Sequence, residues 1–326
     1  MTTAVTGAAG YLGTQMMLCL TDAGRDPLGV DAEGALPPAL SGARYAVLPS
    51  DEAGPLEAAF RDHGVEEVVH FAGSGDVDLS VRDPLTEYQD TLVRTLTVAR
   101  AALSAGVRRF VFSSTASVYG VPDLIPIKEG TALRPISPFG AAMGMAERIV
   151  LDACTAAGVK VATLRYFNVA GADPALRAGE QGRPRHLIRA AAQIAVGSRE
   201  EPLRIYGDDY ETPDGTAIRD FLHVADMADA HRCALDYLAG GAPSIVLNCG
   251  YGTGASVAEV VGAFGRVTGK PLPTVPAPRR EGDPPQLIAD DAKIRTVLGW
   301  TPRFDDLDLI VRSAVAWEAQ AGAVPA

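Results

Sequence analysis

The chain has 326 residues, 47% of them hydrophobic, and a formal net charge of −11 at pH 7. This length can bury a large core and predicts one main domain with a smaller lobe. The negative charge argues against a nucleic-acid surface, because phosphate contacts supply most of the affinity there. The sequence has no run of eighteen apolar residues and no signal-peptide pattern, so we expect neither a membrane span nor a leader.

Strand-like runs alternate with amphipathic segments through the first half of the chain. The predicted strands are residues 4–6, 28–31, 46–48, 67–71, 109–113 and 161–166, and the main predicted helices are residues 12–23, 56–63, 85–105 and 140–157. Such alternation predicts an α/β fold, a doubly wound parallel sheet with helices on both faces. After residue 168 the pattern changes to loops rich in Gly, Pro and Arg, which predicts a smaller C-terminal lobe over residues 169–326.

A glycine-rich turn follows the first predicted strand and opens the first helix. Small residues let the backbone approach a pyrophosphate, and the helix N-terminus supplies free N–H groups. Asp31 ends the second strand, where it can accept from adenosine ribose hydroxyls and repel a 2′-phosphate, so we predict NAD rather than NADP. The alternative is a vestigial turn. The predicted contacts in this turn are Gly7, Gly10, Tyr11, Leu12 and Gly13.

Residues 1–168, joined by part of 219–249, are therefore predicted to form an NAD-binding Rossmann domain. The lobe at 169–326 would cover the carboxyl ends of its strands, where ligands of open α/β sheets bind.

The segment Phe-Ser-Ser-Thr-Ala-Ser-Val-Tyr-Gly at 112–120, with Pro-Ile-Ser-Pro-Phe-Gly-Ala-Ala-Met at 135–143, resembles the UDP-glucose 4-epimerase branch of the extended short-chain dehydrogenase/reductase family. That family has Ser-Ser-Ser/Thr followed by Pro-Tyr-Gly-x-x-Lys. Its tyrosine takes a proton from a sugar hydroxyl while NAD takes the hydride, and its lysine holds the nicotinamide ribose and favours phenolate. Here Thr115 stands at the Ser/Thr position, Phe139 at the tyrosine position and Met143 at the lysine position.

Neither Phe139 nor Met143 can ionise, so the resemblance implies a non-standard proton route. The joint replacement is chemically coherent, because a lysine loses its main electrostatic task when the phenol is absent. A random double lesion is the alternative. The base would have to be another group or water, and Tyr119 and His186 are candidates.

Further elements resemble the family's cofactor contacts. These are Asp51 and Glu52 after the third strand, Phe71, Ala72 and Gly73 after the fourth, and Tyr166 in Arg-Tyr-Phe-Asn. An ordinary helix cap and an ordinary strand end are the alternative interpretations of the first two. The chain departs from the family at Gly75, where a lysine is common, and at Asp90 and Thr91, where Asn-Asn is common. These departures imply weaker or altered NAD binding.

The second half resembles the family's sugar-nucleotide site in three elements, at 164–168, 205–224 and 278–283. The resemblance implies that Asn168 contacts substrate, Tyr206 packs on the base, and Asp283 accepts from a ribose hydroxyl. Arg219 and Arg280 would neutralise the diphosphate, for which the planar guanidinium is well suited. Surface ion pairs and a core aromatic are the alternative interpretation.

The sugar end of the site shows two more departures. His186 and Leu187 stand where Asn-Leu is usual, and Leu287 replaces a bulkier aromatic, so the resemblance implies an altered sugar pocket. His186 is the one histidine we expect in the site, whereas His70 and His223 lie in apolar runs and are expected in the core.

The resemblance implies an NAD-dependent 4-epimerase of UDP-hexoses, or a close variant, acting by transient oxidation at C4 and forming a homodimer. Two alternatives stay open: an inactive paralogue that binds sugar nucleotides, and a dehydratase or oxidoreductase of the same substrates. The four cysteines are far apart and lack metal-ligand spacing, so we expect reduced thiols, no metal site and a cytoplasmic location.

Overall fold

A computed structural model describes residues 1–32, 36–49, 51–73, 75–182, 186–280 and 283–323. Of the sequence motifs above, Glu281 and Gly282 lie outside the described residues.

The main sheet has seven parallel strands in the order β11-β6-β5-β4-β1-β2-β3, and the predicted doubly wound α/β fold is confirmed. Its strands are β1 (Thr2–Thr6), β2 (Leu28–Asp31), β3 (Arg44–Val47), β4 (Val65–Phe71), β5 (Arg109–Thr115), β6 (Lys160–Tyr166) and β11 (Ile245–Cys249).

Helices cover both faces of this sheet, and three more in the C-terminal half pack against one another. They are α1 (Tyr11–Asp22), α2 (Ala53–Asp62), α3 (Val77–Arg82), α4 (Pro84–Tyr88), α5 (Arg94–Ser104), α6 (Pro138–Ala156), α7 (Leu187–Val196), α8 (Val224–Ala239), α9 (Val257–Thr268), α10 (Ala292–Leu298) and α11 (Leu307–Ala323). The helix predicted at 85–105 is α4 and α5 joined by a π-helical turn, Gln89–Val93.

Two apolar cores form because successive side chains of a strand point to opposite faces. In β1, Ala4 belongs to the core under α2, α5 and α6, and Val5 to the core under α1 and α8. Both residues are fully buried. Burial on both faces explains why the strands of this sheet appear in the sequence as continuous apolar runs.

The remaining strands form three small sheets, β10-β7, β12-β9-β14 and β13-β8. Their members are β7 (Asn168–Ala170), β8 (Leu203–Tyr206), β9 (Ile218–Arg219), β10 (Phe221–His223), β12 (Ala255–Ser256), β13 (Thr274–Ala277) and β14 (Gln286–Leu287). Across the described ranges, no helix is long and apolar enough to cross a membrane.

Candidate functional site

The glycine turn has the geometry of a phosphate cradle. Gly7 adopts a φ of +75°, and a Cβ on Gly13 would lie 2.0 Å from the Gly7 carbonyl oxygen. Gly10 is the N-cap of α1 and has no side-chain capping bond. Side chains at Gly7 and Gly13 would therefore fill the turn, and the residues present fit a dinucleotide pyrophosphate at the start of α1.

Asp31 is fixed beside this turn by backbone donors. Its carboxylate accepts from Ala9 N at 2.9 Å and Ala32 N at 2.8 Å. Gly7, Asp31 and Phe71 line one cleft of about 420 Å³, part of it open to solvent. The strand order β4-β1-β2 explains this, because all three residues lie at the carboxyl edge of the sheet.

Five further residues predicted to contact the cofactor do not line this cleft: Tyr11, Leu12, Asp51, Glu52 and Tyr166. Asp51 and Glu52 are exposed, and Glu52 precedes α2 without a side-chain capping bond. Tyr11 donates its hydroxyl proton to Gly171 O at 2.6 Å, which ties the start of α1 to the segment after β7. Leu12 packs against the core. Tyr166 lies opposite Thr115 in the β5–β6 pairing.

Thr115 ends β5 and is largely buried, with 7% of its surface exposed. Its Oγ1 accepts from Ser117 N at 3.2 Å and caps the short turn at Ala116–Tyr119. The side chain is thus fixed at the carboxyl edge of the sheet, beside Tyr166 on the next strand.

Phe139 and Met143 lie one turn apart on α6 and pack against Gly73. A Cβ on Gly73 would lie 3.1 Å from Phe139 Cε2, 3.4 Å from Met143 Sδ and 3.1 Å from Thr91 Oγ1. Phe139 is 6% exposed and Met143 is fully buried. Both side chains belong to an apolar core that Leu287 also contacts. Of the three atoms nearest to Gly73, Thr91 Oγ1 is the oxygen.

The structure contradicts the interpretation of Tyr119 as a base. Its ring is 1% exposed. Its hydroxyl donates to Asn248 Oδ1 at 2.6 Å and accepts from Arg165 Nη1 at 2.9 Å. Burial raises the pKa of this phenol, although Arg165 lowers it in part. Tyr119 is therefore a structural group inside the fold.

The predicted substrate residues form two pairs. Arg219 is ion-paired with Asp283, and its Nη1 donates to Ile218 O at 2.8 Å. The Arg280 guanidinium lies 4.1 Å from the Tyr206 ring centroid. These four side chains can exchange their mutual contacts for the phosphates, ribose and base of a nucleotide diphosphate.

Arg280 has a second contact that the sequence did not indicate. Its Nη2 lies 3.8 Å from Asp78 Oδ2 on α3. No sequence signal links these residues, because they are about 200 positions apart. The pair joins the second half of the chain to helix α3, which follows β4.

The residues predicted at the sugar end lie on separate elements. Asn168 is exposed on β7, and Leu287 on β14 pairs with Arg219 on β9. Leu187 begins α7, and His186 precedes it with its Nδ1 3.1 Å from Glu180 Oε2. Glu180 was missed by the sequence reasoning, because carboxylate–histidine pairs have no fixed spacing.

His70 and His223 are buried core residues, as predicted, and His231 joins them. His70 Nδ1 lies 2.6 Å from Thr6 Oγ1, and His223 accepts from Ala225 N at 3.1 Å. Burial lowers the pKa of His70 to about 3 and those of His223 and His231 to about 4. All three are therefore neutral near pH 7.

Comparison with known proteins identifies the family. Residues 3–250 match the model of the NAD dependent epimerase/dehydratase family. The chain is 48% identical over 325 residues to a UDP-glucose 4-epimerase of Azospirillum brasilense, covering 96% of this chain and 91% of the relative. It is 42% identical over 325 residues to a UDP-glucose 4-epimerase of Streptococcus mutans, covering 97% and 96%.

Solved structures agree. A UDP-glucose 4-epimerase of Stenotrophomonas maltophila with bound NAD and formylated UDP-arabinopyranose matches with a TM-score of 0.94 and 33% identity, covering 99% of this chain and 100% of that one. The enzyme of Bifidobacterium longum in complex with NAD+ and UDP matches at 0.92 and 33% identity, covering 99% of both. Because sequence and fold agree over nearly the whole length, the chain belongs to the NAD-dependent epimerase/dehydratase family and is a UDP-glucose 4-epimerase-like member of the extended short-chain dehydrogenases/reductases.

Proposed function

We propose that this protein is an NAD-dependent 4-epimerase of a UDP-hexose, or a close variant, with a non-standard proton route. The single observation that carries the proposal is full-length similarity to UDP-glucose 4-epimerases, 48% over 325 residues in one case. The grouping of Arg219 with Asp283 and of Arg280 with Tyr206 supports a nucleotide-diphosphate substrate. The division into a cofactor domain at 1–168, joined by part of 219–249, and a substrate lobe at 169–326 is part of the proposal.

Bound NAD would accept the hydride from C4 of the sugar. The glycine turn and Asp31 would hold its phosphates and adenosine ribose. Thr115 would donate a hydrogen bond to the reacting oxygen. Asn168, Leu187 and Leu287 would surround the sugar.

His186 is the remaining candidate for the proton carrier, because Tyr119 is enclosed. An imidazole can exchange protons near neutral pH, and Nδ1 of His186 lies 3.1 Å from Glu180 Oε2. The ring is partly exposed, with 42% of its side chain accessible. These two features support His186 as the group that takes and returns the hydroxyl proton.

A second candidate function is a sugar-nucleotide-binding protein without turnover. The packing of Phe139 and Met143 into the apolar core favours it, because no ionisable group occupies either position. This alternative predicts binding of NAD and UDP-hexose without interconversion.

The deciding experiment incubates the protein with UDP-glucose, UDP-galactose and their N-acetyl forms and follows the anomeric protons by NMR. We expect slow interconversion of at least one pair, reduced about 10² to 10⁴-fold by His186→Gln. His63→Gln is the matched control, since His63 contacts Arg44, which begins the edge strand β3. Binding of substrate with no turnover of any sugar would support the binding protein instead.

Substrate binding has its own test. Replacing Arg219 or Arg280 with Ala should weaken UDP-hexose binding by about 1.5–3 kcal/mol, the usual value for a charged hydrogen bond. Arg279→Ala is the control, because Arg279 lies next in sequence but pairs with Asp209. If calorimetry shows unchanged affinity in both variants, Arg219 and Arg280 form ion pairs within the protein and do not bind the diphosphate.

We further propose a homodimer and a cytoplasmic location. Free thiols at all four cysteines support the location. Support for the dimer comes from exposed apolar side chains on α4, α5 and α6, which pack against one another: Leu85, Leu96, Met145 and Leu151. Light scattering should give twice the chain mass, and Leu96→Glu with Met145→Glu should give a monomer. Leu124→Glu, at a more exposed apolar residue elsewhere, should leave the dimer intact.

A further inference from the structure

Arg94 lines the same cleft as Gly7 and Asp31. It is the first residue of α5, the last helix of the connection from β4 to β5. The cleft that it lines lies at the carboxyl edge of the sheet, because Asp31 and Phe71 end their strands there and Gly7 follows β1. Val98, one turn later on the same face, also lines the cleft and is buried. Arg94 thus stands at the mouth of the cleft and Val98 deeper within it.

Charge makes this position significant. Among the described residues that line the cleft, Arg94 carries the cationic side chain and Asp31 an anionic one. A dinucleotide pyrophosphate brings two further negative charges. The N–H groups of the glycine turn carry only partial positive charge, so a full cation beside them would strengthen phosphate binding.

The present partner of Arg94 is weakly held. Its Nη2 lies 3.4 Å from Asp90 Oδ1, and the two side chains are 46% and 40% exposed. Ion pairs this exposed and four residues apart on a helix contribute little. The guanidinium can therefore leave Asp90 for a phosphate at small cost.

The strand order indicates which part of the cofactor Arg94 reaches. Phe71 and Gly7 lie at the ends of the adjacent strands β4 and β1, whereas Asp31 ends β2. Neighbouring strands are about 4.8 Å apart, so the end of β2 is roughly 10 Å from that of β4. Arg94 lines the cleft together with Phe71 and Gly7, and the helix that carries it contacts β4.

We propose that Arg94 is the phosphate-binding cation of the dinucleotide cleft and that Asp90 holds its guanidinium until the pyrophosphate binds. This inference rests on the cofactor part of the proposed function. It assigns a cofactor contact to a residue outside the glycine turn and outside the family-like motifs of the sequence. It also supplies a positive charge to a chain that has Gly75 where the family commonly has a lysine.

Calorimetry on the full chain with NAD, ADP, adenosine and NADP tests the proposal without any measurement of turnover. Arg94→Ala should weaken NAD and ADP by a similar factor of roughly 10 and leave adenosine unchanged. Arg94→Lys should retain most of the affinity, because the charge remains. Asp90→Asn should bind NAD at least as tightly as the unmodified protein. Arg100→Ala, at an exposed position of the same helix, is the matched control.

Three results would overturn the proposal. Equal losses for adenosine and ADP would mean that Arg94 stacks on the adenine. A larger loss for NADP than for NAD would mean that it contacts a 2′-phosphate. Unchanged affinity for NAD and ADP in Arg94→Ala would make it a surface ion pair. If the unmodified protein bound neither NAD nor ADP, the cofactor assignment itself would fall, whereas a lack of epimerisation with NAD bound would affect only the proposed reaction.

Discussion

At position 139 a phenyl ring stands where the family's proton carrier would be, and its neighbour at 143 is a thioether. Both side chains pack against Gly73, with Thr91 Oγ1 beside them. Thr91 in turn donates to the buried Glu87 Oε1 at 2.7 Å. The place of the usual phenol and ammonium is therefore apolar, with a hydroxyl and a carboxylate behind it.

Restoring the pair tests how the native protein moves the proton. If activity was lost only through this pair, Phe139→Tyr with Met143→Lys should increase epimerisation of a common UDP-hexose by about 10² to 10⁴-fold, the typical value of a positioned general base. A relocated base such as His186 predicts little gain. A free phenol has a pKa near ~10, so Phe139→Tyr alone should gain less for want of the ammonium field. The NMR assay above measures both variants.

Stability must be checked beside activity, because Met143 is fully buried and an ammonium there costs desolvation. If the double variant stays folded and gains little activity, the native protein uses a relocated base on an unusual sugar. Thr115→Val should then abolish native turnover. A native protein that epimerises UDP-galactose at rates usual for the family would contradict the claim that these substitutions disable the standard proton route.

On the scale of elements, α6 is joined to the sheet by a buried ion pair. Arg165 on β6 donates from Nε at 2.9 Å and from Nη2 at 2.7 Å to the two carboxylate oxygens of Glu147. Ser114 on β5 donates to the same carboxylate. This clamp fixes the helix that carries Phe139 and Met143 against the strand that carries Thr115, so the reaction position depends on it.

Breaking the clamp should destabilise the fold. Glu147→Ala leaves the Arg165 guanidinium buried without its partner, so we expect a loss of about 3–5 kcal/mol in the free energy of unfolding. Asp152→Ala removes the exposed partner of Arg148 on the same helix and should cost less than about 1 kcal/mol. Urea unfolding compares the two. A loss below 1 kcal/mol in Glu147→Ala would show that the pair contributes little.

For the whole molecule, buried histidines determine the response to acid. The pKa values of His70, His223 and His231 lie at about 3, 4 and 4, below the ordinary 6.5, because burial disfavours the charged imidazole. Arg94 lowers the pKa of His70 further. For His223, Asp173 raises the pKa and Arg303 lowers it. Groups with a depressed pKa stabilise the fold above pH 6.5, and this contribution is lost as the pH falls towards 4.

Asp220 acts in the opposite sense. Burial raises its pKa to about 6, although hydrogen bonds from Tyr251 N, Ala289 N and Gly252 N lower it in part. A carboxyl with a raised pKa stabilises the fold most at low pH, and that contribution is lost as the pH rises through 6. One such group offsets only part of the effect of three histidines.

We therefore expect a net loss of stability between pH 7 and pH 5. Each histidine should contribute a loss of about 2 kcal/mol, and Asp220 should return about 1 kcal/mol. Urea unfolding at both pH values measures the difference. His223→Gln should reduce it and the exposed His63→Gln should not. A free energy of unfolding that is equal at pH 7 and pH 5 would contradict this balance.

The sequence by itself determined the architecture of the nucleotide half. Its signals are local: alternating apolar runs for strands, small residues in the turn at Gly7 and Gly13, and a carboxylate at the end of β2. Such signals can be recognised without knowledge of the packing, because backbone conformation and the periodicity of apolar residues are set over a few neighbouring residues. Element ends were less certain, as β3 shows: it was predicted at residues 46–48 and spans Arg44–Val47. The roles assigned to the site residues stay predictions.

Only the tertiary structure decided which side chains meet. It enclosed Tyr119 between Asn248 and Arg165, and it brought Arg280 to within 3.8 Å of Asp78. It also placed Arg94 in the dinucleotide cleft. These contacts join segments far apart in the chain or depend on which face of a helix meets the sheet. No local periodicity encodes such long-range contacts, because they are set by the order of the strands and by the packing of helices on both faces.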